Sequence, residues 1–350
     1  MIDISKNTVS NAVSLRQAME KLNKLSTNLT LFVVDESEKL VGTLTDGDIR
    51  RGLLSDLNQT QPLQLFMNTK FRWLNEGQIR ESDIVEYKKL NLSLIPVLES
   101  TGRINSILEL NKLKGWLPLT AIIMAGGEGQ RLRPLTLDKP KPLLEVGGKP
   151  IIEHNIDRLI QYGIQEIYIS IRYLGEQLMD YFGDGSAKGI SIKYITEDSP
   201  LGTIGAVEKV SSTINKQYLV MNSDLLTTID FDDFYQHYKT TNSSLCVATV
   251  PYEVKIPYAI IETDQENVLS FQEKPTYTYY SNAGMYIFSE EVRCIVPQGQ
   301  KYDATDLMQQ LIEDKKKVGH YHLLSYWLDI GKHEDFEKAQ KDIMHLSLLK

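Results

Sequence analysis

Thr120-Ala121-Ile122-Ile123-Met124-Ala125-Gly126-Gly127-Glu128-Gly129-Gln130-Arg131-Leu132 is the stretch whose reading decides the fold. Its first half is a short apolar run of strand type. Glycines follow at once, where a backbone can approach a phosphate closely and present its N–H groups. The spacing is neither the G-x-G-x-x-G of a dinucleotide fold nor the G-K-[ST] ending of a P-loop, so both of those chemistries lose ground. The next dozen residues bring Arg131, Arg133, Lys139 and Lys141, stiffened by Pro134, Pro140 and Pro142. In a chain of formal net charge −8 such a concentration of cations suggests a pocket for a small anion, although most charge runs are solvated loops.

Outward from this loop, strands and helices alternate. Thr120 to Met124 reads as a strand, Pro150 to Tyr162 as a helix, Glu166 to Ile171 as a strand and Gly175 to Tyr181 as a helix. That order predicts an α/β fold, a Rossmann-like mixed and mostly parallel sheet with helices on both faces. Ser244 to Val250, Tyr258 to Glu262 and Ala283 to Phe288 continue the strands, and His333 to Leu346 reads as a terminal helix. Leu219-Val220-Met221-Asn222-Ser223-Asp224 is an apolar strand ending in an acid, and Trp327-Leu328-Asp329 offers a second acid beside an aromatic. Alone, either aspartate fits a turn or a cap. Together they suit Mg²⁺, which takes one or two carboxylates with phosphate oxygens and water.

The first third contains a repeat. Leu31 to Asp35 and Lys39 to Thr45 read as strand, turn, strand, and Ile95 to Glu99 with Arg103 to Glu109 repeat that reading 64 positions later. A helix precedes each copy: Leu15, Ala18, Met19 and Leu22 share a face behind Ser14, and Ile84, Tyr87 and Leu90 follow Ser82. Gly115 to Leu119 punctuates the chain, which predicts a small α/β domain over 1–116 and a larger one over 117–350. The acidic balance, with pI near 5.4, argues against a nucleic-acid partner. With no uninterrupted apolar leader and no membrane-length apolar run, a cytoplasmic location is expected. Cys246 and Cys294 lack any C-x-x-C arrangement.

Two resemblances sharpen these readings. The text from Val41 to Arg51 resembles a CBS domain, and the repeat makes it a CBS pair. In that family a Thr and an Asp at the places of Thr45 and Asp48 often hold the ribose or phosphate of an adenine nucleotide. Glu109 and Lys112 stand there in the second copy. A pair that only packs or dimerises without a ligand is the competing expectation.

Gly126-Gly127-Glu128-Gly129-Gln130-Arg131-Leu132-Arg133-Pro134, followed by Lys139-Pro140-Lys141-Pro142-Leu143, strongly resembles the sugar-1-phosphate nucleotidyltransferases. The resemblance implies that Ala125, Gly126, Gly127, Gly129 and Gln130 line the nucleotide phosphates, with Arg131 on the leaving pyrophosphate and Lys141 on the reacting phosphates. Gln130 stands where a threonine is common, and Ser223 where a glycine is. Asp224 and Asp329 match the family's metal pair. Glu273-Lys274-Pro275 matches its sugar-hydroxyl and sugar-phosphate contacts, and Asn282 with Gly284 its sugar pocket.

The segment from Glu197 through Gly202 and Thr203 resembles the family's base-recognition segment. A carboxylate at Glu197 can accept from both the ring N–H and the exocyclic amine of guanine, whereas glutamine suits uracil or thymine better. GTP is therefore the expected donor, with glucosamine 1-phosphate the expected acceptor. Mannose 1-phosphate guanylyl transfer and uridylyl or thymidylyl transfer remain enzymatic alternatives. A nucleotide sensor that binds without reacting is the non-enzymatic one. A homo-oligomer is expected. His320 and His322 would share a strand face, and exposed strand histidines are favoured there over a metal site.

Overall fold

The structure is a computed structural model that describes residues 3–25, 27–211 and 215–346. The chain divides into two compact units, Met1–Trp116 and Leu117–Lys350, with Ala187–Gly189 grouped into the first.

In the first unit, β1 (Thr8–Ser10), β2 (Thr30–Val34) and β3 (Leu40–Thr45) form one sheet, and β4 (Leu74–Asn75), β5 (Leu94–Leu98) and β6 (Ile104–Glu109) form another. Each sheet pairs its first two strands parallel and its last two antiparallel. The β2–β3 ladder starts on Thr30↔Thr45 and the β5–β6 ladder on Leu94↔Glu109. Their irregularities also fall at matching places, Val33/Val34 and Val97/Leu98. The repeat read from the sequence is thus a repeat of register.

Ser14 caps helix Leu15–Asn23 by accepting the Gln17 amide, and Leu15, Ala18 and Leu22 are buried. The second helix, Glu81–Lys89, begins earlier than its pattern suggests. Asp83 Oδ2 accepts the Arg80 amide at 3.2 Å, so the carboxylate three residues in satisfies the start. Ser82 therefore lies inside the helix, and Leu90 is its exposed C-cap rather than part of the Ile84 face.

The second unit begins with β7 (Thr120–Ala125) and the short pair β8 (Glu145–Val146) and β9 (Lys149–Pro150). There follow β10 (Glu166–Ile171), β11 (Ser191–Thr196), β12 (Gln217–Asn222) and β13 (Leu225–Thr227). The chain continues with β14 (Leu245–Lys255), β15 (Ile260–Asp264), β16 (Asn267–Gln272), β17 (Thr276–Ser289), β18 (Val318–His322) and β19 (Trp327–Asp329). Seven of these form one sheet in the order β11-β10-β7-β12-β17-β14-β18. Only β17 runs antiparallel to its neighbours.

The continuous apolar text of β7 follows from burial on both sides. Ala121, Ile123 and Ala125 enter one core with Ile152, Ile156 and Phe234, while Ile122 enters the other with Leu307 and Leu311. Each isoleucine, leucine or phenylalanine among them contributes about 1.5–3 kcal/mol. The α/β class, the mostly parallel sheet and helices on both faces are therefore observed.

Several elements depart from their expected bounds, β15 among them, which runs Ile260–Asp264 rather than Tyr258 to Glu262. β14 and β17 run on past the core as a two-stranded ribbon, Pro251–Lys255 paired with Thr276–Tyr280, tipped by the β15–β16 hairpin. The terminal helix stops at Asp342 and a single 3₁₀ turn, Ile343–His345, follows.

Candidate active site

Because β7, β10, β11 and β12 are parallel neighbours, their C-terminal ends lie along one edge, where such sheets place their ligands. Each strand delivers a group just beyond its last residue: the Gly126–Arg131 loop after β7, Arg172 after β10, Glu197 after β11 and Asp224 after β12. These groups line a cavity of about 510 Å³ together with Gln130, Lys141, Gly202, Thr203 and Asn222.

The loop is held by its glycines. Gly129 has φ +62°, and a Cβ there would stand 3.0 Å from both Lys141 Cβ and Thr136 Cγ2, so the turn admits no side chain without displacement. Thr136 Oγ1 donates to the Gly129 carbonyl at 2.9 Å. Leu132 sits in a small core with Leu328 and Ile330, which fixes the loop's far end beside β19. Gln130 donates to Glu128 at 2.8 Å, and Arg172 pairs with the same carboxylate at 3.1 Å. Those contacts, Gln130 first, hold Glu128 below the usual carboxylate range.

Asp224 and Asp329 meet through strand pairing. β13 lies antiparallel to β19 with Leu225 opposite Asp329, and the Ile330 amide donates to the Asp224 carbonyl at 3.1 Å. Lys141, largely buried, forms an ion pair with Asp224 Oδ2. The other oxygens, Asp224 Oδ1 and Asp329 Oδ1, are buried without a hydrogen-bond partner. Burial, and then the Asp224 charge, raises the Asp329 pKa. Two orphaned carboxylate oxygens side by side are the donor set a hard divalent cation takes, its remaining ligands coming from phosphates and water. The site therefore fits such an ion. Arg131 completes this corner, its guanidinium lying 3.3 Å from where a Cβ on Gly331 would stand.

Glu197 is fixed with its carboxylate under Gly126, whose Cβ, were there one, would stand 2.7 Å from Oε1. Oε1 accepts from Ser170 Oγ at 2.5 Å and Oε2 from the Leu201 amide at 3.0 Å. Thr203 opens a second cavity of about 420 Å³, shared through Asn222 and lined also by Asn282, Gly284, Tyr286, Asp303, Trp327 and Asp329. There Asn282 donates to the Tyr286 hydroxyl at 2.7 Å, and Trp327 Nε1 to the Ala283 carbonyl at 2.9 Å.

The structure does not bring every expected residue here. Glu273 and Lys274 sit exposed at the base of the β15–β16 hairpin and line neither cavity. Of the four cations after the loop, Arg131 and Lys141 face the cavity, whereas Lys139 pairs with Glu145 at 2.8 Å outside it, and Arg133 is exposed and does not line it. Ala125 is buried at the end of β7 below the cavity. His320 and His322 are exposed on β18 against Tyr280, whose ring stacks 4.3 Å from that of His322. Among the described residues no cluster of three or more His, Cys, Asp or Glu forms a metal group. Sequence reasoning missed Arg172 and Asn222, which a search for polar residues at the ends of parallel strands would have found. It also missed Asp303, which accepts the Thr203 amide at 2.9 Å and carries no local signal.

In the first unit, Thr45 and Asp48 cap helix Asp46–Leu54 reciprocally, and Arg51 pairs with Asp48. They line a cavity of about 380 Å³ with Lys70 and Arg72. At the matching place of the second copy, Lys112 bonds Glu109 at 2.7 Å.

A glycine loop, facing cations and a carboxylate pair thus stand together at the C-terminal edge of the mostly parallel sheet of an α/β protein. The chain belongs to the nucleotidyl transferase family, whose pattern matches residues 120–345, and the CBS domain family matches residues 5–55. Mannose-1-phosphate guanylyltransferase of Mycobacterium tuberculosis is 33% identical over 230 residues, 64% of this chain and 64% of its own. UTP--glucose-1-phosphate uridylyltransferase of Synechocystis sp. is 29% identical over 246 residues, 65% of this chain and 63% of its own. This chain thus spans just under two thirds of those relatives' lengths. The crystal structure of HddC from Yersinia pseudotuberculosis complexed with GMP-PN superposes with a TM-score of 0.50 at 25% identity, covering 64% of this chain and 99% of that one. No helix among the described residues is long and apolar enough to cross a membrane.

Proposed function

We propose that the second unit transfers a nucleoside monophosphate from a nucleoside triphosphate, GTP by preference, to a sugar 1-phosphate and releases pyrophosphate. The observation that carries this reading is the orphaned Asp224–Asp329 oxygen pair beside Lys141, Arg131 and the glycine loop. Cation-binding and anion-binding groups stand together there, as a triphosphate and its metal ion require.

Gly126, Gly127, Gly129 and Gln130 present backbone donors to the triphosphate, and Arg131 neutralises the β- and γ-phosphates. Lys141 keeps two further donors when one is spent on Asp224, and these reach the α-phosphate. An oxygen of the sugar phosphate attacks the α-phosphorus, the bond to the β-bridging oxygen breaks, and its electron pair leaves with pyrophosphate. The attacking oxygen is already anionic at neutral pH, so positioning and charge neutralisation suffice without a general base. A divalent ion on Asp224 and Asp329, Mg²⁺ by preference, supplies further neutralisation of the phosphate charge.

Glu197 selects the base. Its two oxygens each accept one internal bond, which fixes the carboxylate plane, and each keeps a lone pair for the guanine N1–H and amine. A guanine nucleotide analogue in the HddC complex and the guanylyltransferase relative agree with GTP, while the uridylyltransferase relative keeps UTP as the second reading. In the adjoining cavity the Asp303 carboxylate favours an ammonium-bearing sugar, hence glucosamine 1-phosphate over mannose 1-phosphate. In the first unit Arg51, Lys70 and Arg72 around Thr45 and Asp48 suit an adenine nucleotide, whereas Glu109 and Lys112 satisfy each other in the second copy.

Pyrophosphate release over a grid of GTP, UTP, dTTP, CTP and ATP against glucosamine, glucose and mannose 1-phosphates tests this. The highest rate is expected with GTP and glucosamine 1-phosphate. A preference for UTP or dTTP would overturn the reading of Glu197.

A further inference from the structure

Among the described residues three cations line the glycine-loop cavity, and the reaction proposed above uses only two of them. Lys141 pairs with Asp224 just past β12, and the Arg131 guanidinium lies beside Gly331, two residues on from Asp329. Arg172 is the third. It follows β10, on the other side of β7 in the sheet order, next to the strand that delivers Glu197.

The backbone fixes this juxtaposition. β10 and β11 pair in parallel as far as Ile171↔Thr196, and the Glu197 amide donates to the Ile171 carbonyl at 2.9 Å. Arg172 and Glu197 therefore leave neighbouring chains about 4.8 Å apart, and both face the cavity. Their side chains are held by different partners. Arg172 donates through one terminal nitrogen to Glu128 at 3.1 Å, whereas Ser170 and the Leu201 amide hold Glu197. Glu128 also accepts from Gln130 at 2.8 Å. The guanidinium is thus anchored to the glycine loop two residues past Gly126, the residue that covers the Glu197 carboxylate. A guanidinium has five N–H donors, and one is spent on Glu128.

Guanine presents two donors, N1–H and the exocyclic amine, and beside them two acceptors, O6 and N7. Glu197 accepts only, so it can satisfy the donors and offers nothing to the acceptors. O6 and N7 lie side by side and match the fork of a guanidinium, which is the commonest specific contact made to this base.

We propose that Arg172 reads O6 and N7 of the guanine whose N1–H and amine Glu197 accepts, so that it is a second specificity-determining residue of the transfer. This deepens the base reading given above and rests on it. Adenine carries an amine in place of O6 and would turn a donor towards a donor.

The test is pyrophosphate release by the full chain with MgCl₂ and the sugar 1-phosphate that reacts fastest, comparing GTP, 7-deaza-GTP, which lacks the N7 acceptor, and ITP, which lacks the amine. Wild type should lose ~10-fold in kcat/KM on each analogue. Arg172→Ala should be ~10-fold or more slower on GTP and nearly indifferent between GTP and 7-deaza-GTP, while still penalising ITP. Arg172→Lys keeps the charge without the fork and should lose the same discrimination. The retained ITP penalty shows that the base site of either variant is folded. A variant slowed alike on all three nucleotides, with the 7-deaza penalty intact, places Arg172 on ribose or phosphate and overturns the proposal. Wild type indifferent to N7 but sensitive to the amine overturns it too and leaves Glu197 in place. Wild type that prefers UTP, ignores the loss of the amine or releases no pyrophosphate from any triphosphate sinks the underlying reading, and this proposal with it.

Discussion

The glycine-loop cavity and the β14–β17 arm are built in opposite ways. Every group in the cavity is fixed from below: Leu132 and Ile330 are buried beside Arg131 and Asp329, Ser170 and the Leu201 amide hold Glu197, and Lys141 is itself largely buried. The arm is one ladder with most of its side chains in solvent, and Lys274 lies exposed at its end with φ +43°. Preorganised charge is what stabilises a transition state, and it needs a rigid support. The cavity has that support within one chain. The arm has no such support among the described residues.

The two regions should therefore answer differently to the same kind of change. The largest effect is expected at Asp224→Asn, which removes a carboxylate from the orphaned pair. Turnover should fall by ~10³-fold, about 4 kcal/mol of transition-state stabilisation, with the thermal midpoint within a few degrees of wild type. Near-normal pyrophosphate release would break the assignment of this corner.

Lys274→Ala should cost ~10²-fold, expressed mainly as a raised KM for the sugar 1-phosphate with the KM for the triphosphate unchanged. Its folding stability should shift by no more than about 0.5 kcal/mol, because the side chain is exposed. A KM change shared equally by both substrates would place Lys274 with the cavity rather than the arm. At the base end, Glu197→Gln should lower the GTP to UTP ratio of kcat/KM by ~10–100-fold, about 1.4–2.8 kcal/mol. An unchanged ratio would remove Glu197 from base selection.

The smallest change concerns the core end of β17, where the strand passes into the short helix Glu290–Arg293. Arg293 holds Glu290 by two bonds of 2.8 and 2.7 Å, and Tyr218 donates to the same carboxylate. Arg293 first among these, they lower the Glu290 pKa from 4.5 to about 2. A depressed carboxylate stabilises the fold above its unfolded value and loses that contribution as pH falls through the folded one. Glu290→Gln should thus cost about 1–3 kcal/mol in urea unfolding at pH 7, with the difference from wild type shrinking as pH drops from 4.5 towards 2. A difference independent of pH would show that the charge plays no part.

The parts of the site made by short, local patterns were legible in the sequence. A strand followed by glycines, an apolar run ending in Asp224 and the Trp327-Leu328-Asp329 text are each short local patterns, and it is their combination that suggests a site for phosphates and a metal ion. What brings Asp224 to Asp329 is the Leu225↔Asp329 pairing between segments about a hundred residues apart, and no local pattern encodes that distance. Asp303 was invisible for the same reason, since it reaches Thr203 across the fold. The repeat in the first unit was legible as strand, turn, strand at a 64-residue offset, and the matching ladders of the two copies, which the sequence reading did not specify, come from the structure. The start of the second helix was misplaced because Asp83 rather than Ser82 satisfies it. Glu273 and Lys274 were found by resemblance, but how far β14 and β17 run before the hairpin depends on what the ribbon packs against. That information lies in a surface and not in the strand's own text.

Nucleotidyl transfer itself is tested most directly by ³¹P NMR of the full chain with GTP, glucosamine 1-phosphate and MgCl₂. The account predicts a GDP-linked sugar and pyrophosphate accumulating in equal amounts, with both reactants and the metal required and with Asp224→Asn nearly silent. Release of GDP and orthophosphate, or consumption of GTP that leaves the sugar 1-phosphate untouched, would contradict it.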